Sequence, residues 1–330
     1  MKTVITREPQ EIREAQEPIQ GKPSSLSLPW LLGGVVFLAL FLAFLLHYRE
    51  DANPARQLSD KASRVDVVAR MQLALASESE AEKSAVMAIT DQDSQTFADQ
   101  ARAATAAVER DRHEIGALLA ASGTEREKEL LTQFSETFGR LKGLDEEVLG
   151  LAVKNTNLKA YGLLFGPAAS TLAEMDSALA RVVATHADSP STKRVTPLAF
   201  GARLGVLRIQ ALLAPHIAEE GDAKMDQMEA SMSKEEVEVR KDLDGLAALA
   251  KSKGDTDVAS ALSQFGRYRE LKAQILALSR ENTNVRSLTL SLNQKRKAMA
   301  VCLDALNALK VAILEEPIAG VTYGRVPKPR

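Results

Sequence analysis

A chain of 330 residues is long enough for one or two domains, and its composition, with 4% aromatic residues and mostly good helix formers, predicts an all-α protein. Its 42 basic and 44 acidic residues are interspersed and give a formal charge of −2, which excludes the basic stripe of a nucleic-acid-binding protein. The single cysteine, Cys302, excludes an internal disulfide, and with no neighbouring histidine or cysteine it is predicted to fill a core position. We expect no cofactor.

The clearest apolar segment lies near the N-terminus. The nineteen residues from Leu28 to Leu46 carry no charge, and at about 1.5 Å per residue they approach the ~30 Å hydrocarbon core of a bilayer. We therefore predict a transmembrane helix over 28–47 that contacts membrane lipid, preceded by a disordered tail over 1–27. A cleaved signal peptide is the alternative, but the long leader contains four glutamates and no small-residue cleavage site follows the apolar run.

The orientation of this span is left open by its flanking charges. Within about twenty residues, more basic side chains follow the span than precede it, which favours a cytoplasmic location for the rest of the chain. Long domains, however, cross membranes largely regardless of charge.

Eight helical stretches are predicted after the span, each bounded by turn or capping residues. Their predicted ranges are 54–91, 94–121, 125–160, 166–186, 198–220, 222–252, 256–286 and 293–315. A proline-containing polar stretch over 187–197 separates two groups of four and is predicted to be a linker. We therefore predict two tandem antiparallel four-helix bundles, over 51–186 and 198–316, with a flexible tail over 317–330. The alternative, in which the two halves share long helices, stays open.

The two halves repeat each other. Residues 138–165 align with residues 265–292 without gaps and share ten identical positions, among them an Asn-Thr-Asn triplet at 155–157 and again at 282–284. An internal duplication of one helical unit is the simplest explanation.

The repeated triplets are the candidate functional site. Helical spacing places Asn155 and Asn282 on apolar seams, and Asn157 and Asn284 on another face. A buried amide without a partner costs about 1–3 kcal/mol, so the seam asparagines need one. Two interpretations follow: the amides fix the register of the helices, or they form a small ligand pocket. The predicted ligand-binding residues are Asn155, Asn157, Lys159, Asn282, Asn284 and Arg286.

Together these patterns resemble a known family. The apolar heptads, the Leu-x-Leu-x-x-x-Asn-Thr-Asn pattern at 149–157 and 276–284, and the run RIQALLAPHIAEEGDAKMDQM at 208–228 resemble the four-helix-bundle sensor modules of bacterial methyl-accepting chemotaxis receptors. The resemblance implies an extracytoplasmic, often dimeric domain that detects small solutes. It therefore implies that the bundles lie on the periplasmic side of a bacterial inner membrane.

The sequence also departs from this family. No second apolar run of about twenty residues follows Leu46, so we expect a separate membrane signalling protein as partner. The amino-acid-binding arginines of the family do not map residue by residue, and Arg70 and Arg208 are only candidates.

No pattern of residues in the sequence indicates an enzyme. The four histidines are scattered, and no nucleophile with a paired base is visible. His216 with Glu219 and Glu220 has helical spacing for a metal site, but the matching Glu-x-x-His of a di-iron bundle is missing. We therefore expect a non-enzymatic protein. Its function is predicted to be a membrane-anchored sensor-like module, or alternatively a structural adaptor that binds other proteins at the membrane.

Overall fold

The computed structural model describes residues 36–44, 53–250 and 256–318. Every regular element in those ranges is helical, which confirms the predicted all-α class. The predicted tail over 1–27 lies outside the described residues, as does the stretch from 319 onward. Of the predicted transmembrane helix, residues 36–44 are described, and they are helical with exposed apolar side chains.

Ten helices follow residue 53 in the described parts of the chain. They are α1 (Pro54–Met87), α2 (Asp91–Ser122), α3 (Glu125–Ala152), α4 (Thr156–Leu163), α5 (Ala169–Thr185), α6 (Thr192–Ala218), α7 (Asp222–Ala250), α8 (Thr256–Glu281), α9 (Thr283–Leu290) and α10 (Arg296–Glu315). Short π-helical turns join α4 to α5 (Leu164–Ala168) and α9 to α10 (Ser291–Lys295). We name α3 to α5 the first long segment and α8 to α10 the second long segment.

Local capping explains where several helices begin. The Thr90 hydroxyl accepts from the backbone N–H of Asp93 at the start of α2. At the start of α3, Thr124 and Glu127 form a reciprocal capping box, in which each side chain bonds the other residue's backbone N–H. Such caps satisfy N–H groups that have no partner within the helix.

The helices bury two main hydrophobic clusters within a compact unit that spans Ser59–Pro317. The first cluster is formed by α1, α2, α3 and α10, and it includes Cys302, which is fully buried as predicted. The second cluster is formed by α4 to α8. A smaller cluster joins the end of α1, the start of α2, the end of α3 and Leu290.

This grouping shows that the predicted division into bundles over 51–186 and 198–316 is wrong. Helix α10 packs against α3 in the first cluster, whereas α5 packs against α8 and α6 in the second. The chain does not turn back at 160–166 or 286–293, because π-helical turns continue the helices there. Each long segment therefore contributes to both clusters, as in the alternative that the sequence left open.

Two prolines that indicated boundaries lie inside helical structure. Pro167 lies in the first π-helical turn, and Pro197 lies inside α6, so the predicted linker over 187–197 shrinks to the turn residues before Thr192. A proline removes one helical hydrogen bond but does not end a helix that tertiary packing holds in place. Helix α6 is also long and apolar enough to cross a membrane, the one such helix among the described residues. Its buried face packs in the second cluster, as a core helix does.

Candidate functional site

Both long segments are interrupted at the repeated triplets. Asn155 precedes α4 with φ 51° and Asn282 precedes α9 with φ 53°, and these are the only non-glycine residues with positive φ in the described chain. Asparagine tolerates this left-handed conformation better than most residues. The two interruptions lie side by side, and we call this contact the junction.

The two threonines at the centre of the junction bond each other's backbone. The N–H of Thr156 donates to Thr283 Oγ1 at 3.2 Å, and the N–H of Thr283 donates to Thr156 Oγ1 at 3.1 Å. Both N–H groups belong to the first turns of α4 and α9, where no partner within the helix exists. Each triplet therefore caps the helix that follows the other triplet.

The asparagines extend this reciprocal pairing. The N–H of Asn157 donates to Asn284 Oδ1 and the N–H of Asn284 donates to Asn157 Oδ1, both at 3.1 Å. Asn284 Nδ2 also donates to Asn155 Oδ1 at 3.0 Å, and Asn157 Nδ2 donates to Asn282 Oδ1 at 2.7 Å. The four side chains thus form one network with approximate two-fold symmetry.

Different partners hold the two sides of the junction. On one side, Asn155 Nδ2 donates to Asp91 Oδ1 at 3.0 Å, and Lys159 Nζ lies 3.1 Å from the other oxygen of this carboxylate. The hydrogen bond from Asn155, with help from Lys159, lowers the pKa of Asp91. On the other side, Asn157 and Asn282 donate to the carbonyls at the end of α6, namely Ile217 O at 2.6 Å and Glu219 O at 2.8 Å.

The structure therefore brings together five of the six predicted residues. Lys159 joins through Asp91, whereas the side chain of Arg286 is exposed. The prediction that Asn157 and Asn284 face away from the seam is wrong, because the interruption at Asn155 and Asn282 ends the helical spacing on which it relied. Ligand binding by these residues stays a prediction; their amides have partners within the junction.

A buried histidine lies next to the junction. His216, fully buried near the end of α6, has Nδ1 2.7 Å from Ser279 Oγ and Nε2 2.9 Å from Glu229 Oε1. Arg280 Nε also donates to Glu229 Oε1, at 2.6 Å, and this bond lowers the pKa of Glu229. The ring of His216 therefore contacts Ser279 and Glu229 rather than Glu219 and Glu220, which share its helical spacing in the sequence.

The three residues do not form an accessible catalytic site. Ser279 is fully buried, and its hydroxyl donates to the backbone carbonyl of His216 at 3.1 Å. Among the described residues, no group of three potential metal ligands has the geometry to hold an ion. The network connects α6, α7 and α8 at the edge of the junction.

A second polar cluster is buried between α1, α3 and the π-helical turn before α10. Lys295 Nζ lies 2.7 Å from Glu78 Oε1, 3.0 Å from Glu82 Oε2 and 2.9 Å from Asp145 Oδ1. All four side chains are at most 4% exposed. We call these residues the buried charge cluster; it joins α1, α3 and the turn before α10.

The pKa values of three groups in this cluster differ from their ordinary values. Burial raises the pKa of Glu78 to about 8, against the opposing attraction of Lys295. Burial likewise raises the pKa of Asp145. Burial opposes the charged form of Lys295, but the surrounding carboxylates prevail and raise its pKa.

Sequence reasoning missed the buried charge cluster, although a signal exists. Lys295 lies four residues after Ser291 and four before Met299, so helical spacing places it on the same buried stripe. Glu78 lies three residues after Leu75 and shares the buried stripe of α1. A charged residue on such a stripe needs a buried partner from another helix.

The arginines that the resemblance offered as ligand contacts are surface residues with acidic neighbours. Arg70 pairs with Asp66, Asp111 and Glu114, and Arg208 lies 3.4 Å from Glu235.

A cavity of about 220 Å³ lies between α5 and α6 in the second cluster. Its lining is mostly apolar and includes Ala173, Leu179 and Val206. An ion pair between Asp176 and Arg203 lies at its edge.

No protein-family model and no curated protein sequence matches this chain. The likeness to chemotaxis-receptor sensors therefore rests on the sequence patterns alone.

Proposed function

We propose that this protein is a sensor-like module, anchored in a bacterial inner membrane, that binds a small solute and passes its response through the junction to a membrane signalling partner. The observation that carries the proposal is the reciprocal capping at Thr156 and Thr283. Because each long segment contributes to both clusters, a shift of α5 or α8 in the second cluster pulls on the hydrogen bonds at the starts of α4 and α9, and these two helices lie on the same long segments as α3 and α10 of the first cluster. The periplasmic location follows from the family resemblance.

The cavity between α5 and α6 is the favoured solute site. It lies in the second cluster, and α5 leads directly back to the junction through the first π-helical turn. The junction itself is the other candidate, in which a solute replaces the present partners of Asn155, Asn157, Asn282 and Asn284. The two sites differ in which substitution should abolish solute binding.

The test is thermal unfolding of the full chain in detergent against amino acids, organic acids, aromatics, polyamines and divalent metals. A ligand at 100 times its dissociation constant adds about 2.7 kcal/mol of stability. Ala173→Trp fills the cavity from an exposed position and should abolish the shift. Ala180→Trp, exposed on the same helix, is the matched control and should retain it.

Each outcome separates the alternatives. A shift lost in Ala173→Trp alone assigns the solute to the cavity, whereas a shift lost in Asn282→Gly alone assigns it to the junction. If no compound shifts the midpoint, the sensor proposal fails.

A specific surface feature favours the second function, a structural adaptor. Phe200, Leu204 and Leu207 lie on one exposed face of α6 and are 54%, 50% and 59% exposed. Their spacing suits contact with another helix, either in a second copy of this chain or in a partner protein. In light scattering of the full chain in detergent, Leu204→Glu should reduce the mass of an assembly, whereas Val237→Glu, at an exposed apolar position on α7, should not.

A further inference from the structure

The buried charge cluster carries more negative than positive charge. Three carboxyl groups surround one ammonium, and the side chains of Glu78, Glu82, Asp145 and Lys295 are 1%, 1%, 4% and 3% exposed. An uncompensated buried charge is costly, and such a group commonly becomes neutral instead.

Several carboxyl oxygens of the cluster have no partner. Glu78 Oε2, Glu82 Oε1 and Asp145 Oδ2 are buried and make no hydrogen bond to any described residue. Lys295 cannot satisfy them, because its ammonium already faces one oxygen from each carboxyl group. A buried acceptor without a donor is destabilising, so these oxygens need a donor.

We propose that the buried charge cluster is a proton-binding site, in which one proton is shared between the carboxyl groups of Glu78 and Asp145. The proton comes from solvent water and binds a carboxylate oxygen, and on release it returns to water. A protonated carboxyl donates one hydrogen bond, which satisfies an oxygen of Glu78 and one of Asp145 at once. It also leaves the site with two carboxylates and one ammonium.

The electrostatic surroundings agree with this assignment. Burial raises the pKa of Glu78 to about 8, and the negative charge of the neighbouring Asp145 acts in the same direction. Among the described residues, Cys302 on α10 also interacts with Asp145, and burial raises the pKa of its thiol. On α2, Arg102 lies at the surface and pairs with Asp99 and Glu146.

Proton release then affects how three elements pack. Glu78 and Glu82 belong to α1, Asp145 belongs to α3, and Lys295 ends the π-helical turn before α10. Without the proton, three carboxylates repel each other around one cation, and the contact between these elements weakens. The inference stands independently of solute binding, since neither the cavity nor the junction includes a residue of the buried charge cluster.

The sign of the expected pH dependence follows from the raised pKa. Between the ordinary pKa of a glutamate, about 4.3, and the raised value, the folded state binds more protons than the unfolded state. Stability is therefore highest at the acidic end of this interval and falls as the pH rises towards 8. Carboxylates whose pKa is lowered, such as Asp91 and Glu229, change protonation only at more acidic pH and do not contribute to this fall in stability.

The experiment measures the thermal unfolding midpoint of the full chain in detergent from pH 5 to pH 9. We expect the wild-type midpoint to fall by several degrees across this range. Glu78→Gln places a neutral hydrogen-bond donor in the same position and should flatten the curve, whereas Glu80→Gln, on the exposed face of α1, should behave as wild type. Because the variants share every other titratable group, the comparison isolates Glu78.

A second readout does not depend on any variant. Infrared spectra of the wild type at pH 7 should contain the carbonyl band of a buried protonated carboxyl group, and the band should disappear by pH 9. If the band is absent at pH 7 and the midpoint does not change with pH, the proposal is overturned. It is also overturned if Na⁺, K⁺, Mg²⁺ or Ca²⁺ raises the midpoint at fixed pH and removes the pH dependence, since a metal ion then supplies the missing charge.

Discussion

Replacing Asn157 with alanine removes the most heavily bonded side chain of the junction. Its Oδ1 accepts from the N–H of Asn284 at 3.1 Å, and its Nδ2 donates to Ile217 O at 2.6 Å and to Asn282 Oδ1 at 2.7 Å. At about 1 kcal/mol for each of these three bonds, with a further 1–3 kcal/mol for a buried group left unpaired, we expect a loss of about 4–6 kcal/mol.

The related residue Asn284 should matter less. Its side chain makes two bonds, to the N–H of Asn157 and to Asn155 Oδ1, and it is only half-buried, so water can replace part of what is lost. We expect Asn284→Ala to cost about 1–2 kcal/mol. Asn307→Ala is the control, because the exposed side chain of Asn307 bonds Gln72 at the surface and its loss should change stability by less than about 0.5 kcal/mol.

The assay is urea unfolding of the full chain in detergent, followed by the helical circular dichroism signal. A lower midpoint with an unchanged denaturant slope reports a change of stability. If Asn157→Ala lies within about 1 kcal/mol of wild type, or if Asn284→Ala costs more, the hydrogen-bond account of the junction is refuted.

Three further variants test other parts of the structure. Asn155→Gly should be more stable in urea than Asn155→Ala, because alanine is strained by about 1–2 kcal/mol at a positive φ whereas glycine is not; the opposite order would contradict the left-handed conformation. Lys295→Met leaves three buried carboxyl groups without a cation and should cost about 3–5 kcal/mol at pH 8 but less at pH 5; an equal loss at both values would be inconsistent with protonation. Since the hydrogen bond from Arg280 lowers the pKa of Glu229, Glu229→Gln should destabilise the protein at pH 7, and the loss should shrink as the pH falls and the wild-type glutamate becomes protonated; chemical denaturation at pH 7 and through the acidic range measures this, and a loss that is the same at every pH would contradict it.

The sequence predicted the helices well because their signals are local. Apolar spacing depends on residues three or four apart, and the turn residues before α3 led to a predicted start at residue 125, where the helix begins. The duplication also holds in detail, since the left-handed asparagines and the π-helical turns recur at equivalent positions of the two repeats.

The grouping of the helices could not be derived in the same way. A duplicated unit suggests that each half folds by itself, and nothing local distinguishes a helix that turns back at Gly166 from one that continues through a π-helical turn. The sequence pattern identified Asn155 and Asn282 but not their partners, because a contact between residues 127 positions apart produces no periodic pattern in the sequence. The charges at Glu78 and Lys295 were missed because most charged helix residues are solvated.

The pairing of the two triplets within one chain is tested most directly by Thr156→Cys combined with Thr283→Cys. The hydroxyl oxygens of these threonines lie 3.2 Å apart, so two thiols in their place are close enough for a disulfide after modest adjustment. In membranes under mild oxidation, we predict a disulfide within single chains that neither single variant forms. Absence of the disulfide, or its appearance only between two chains, would contradict the account.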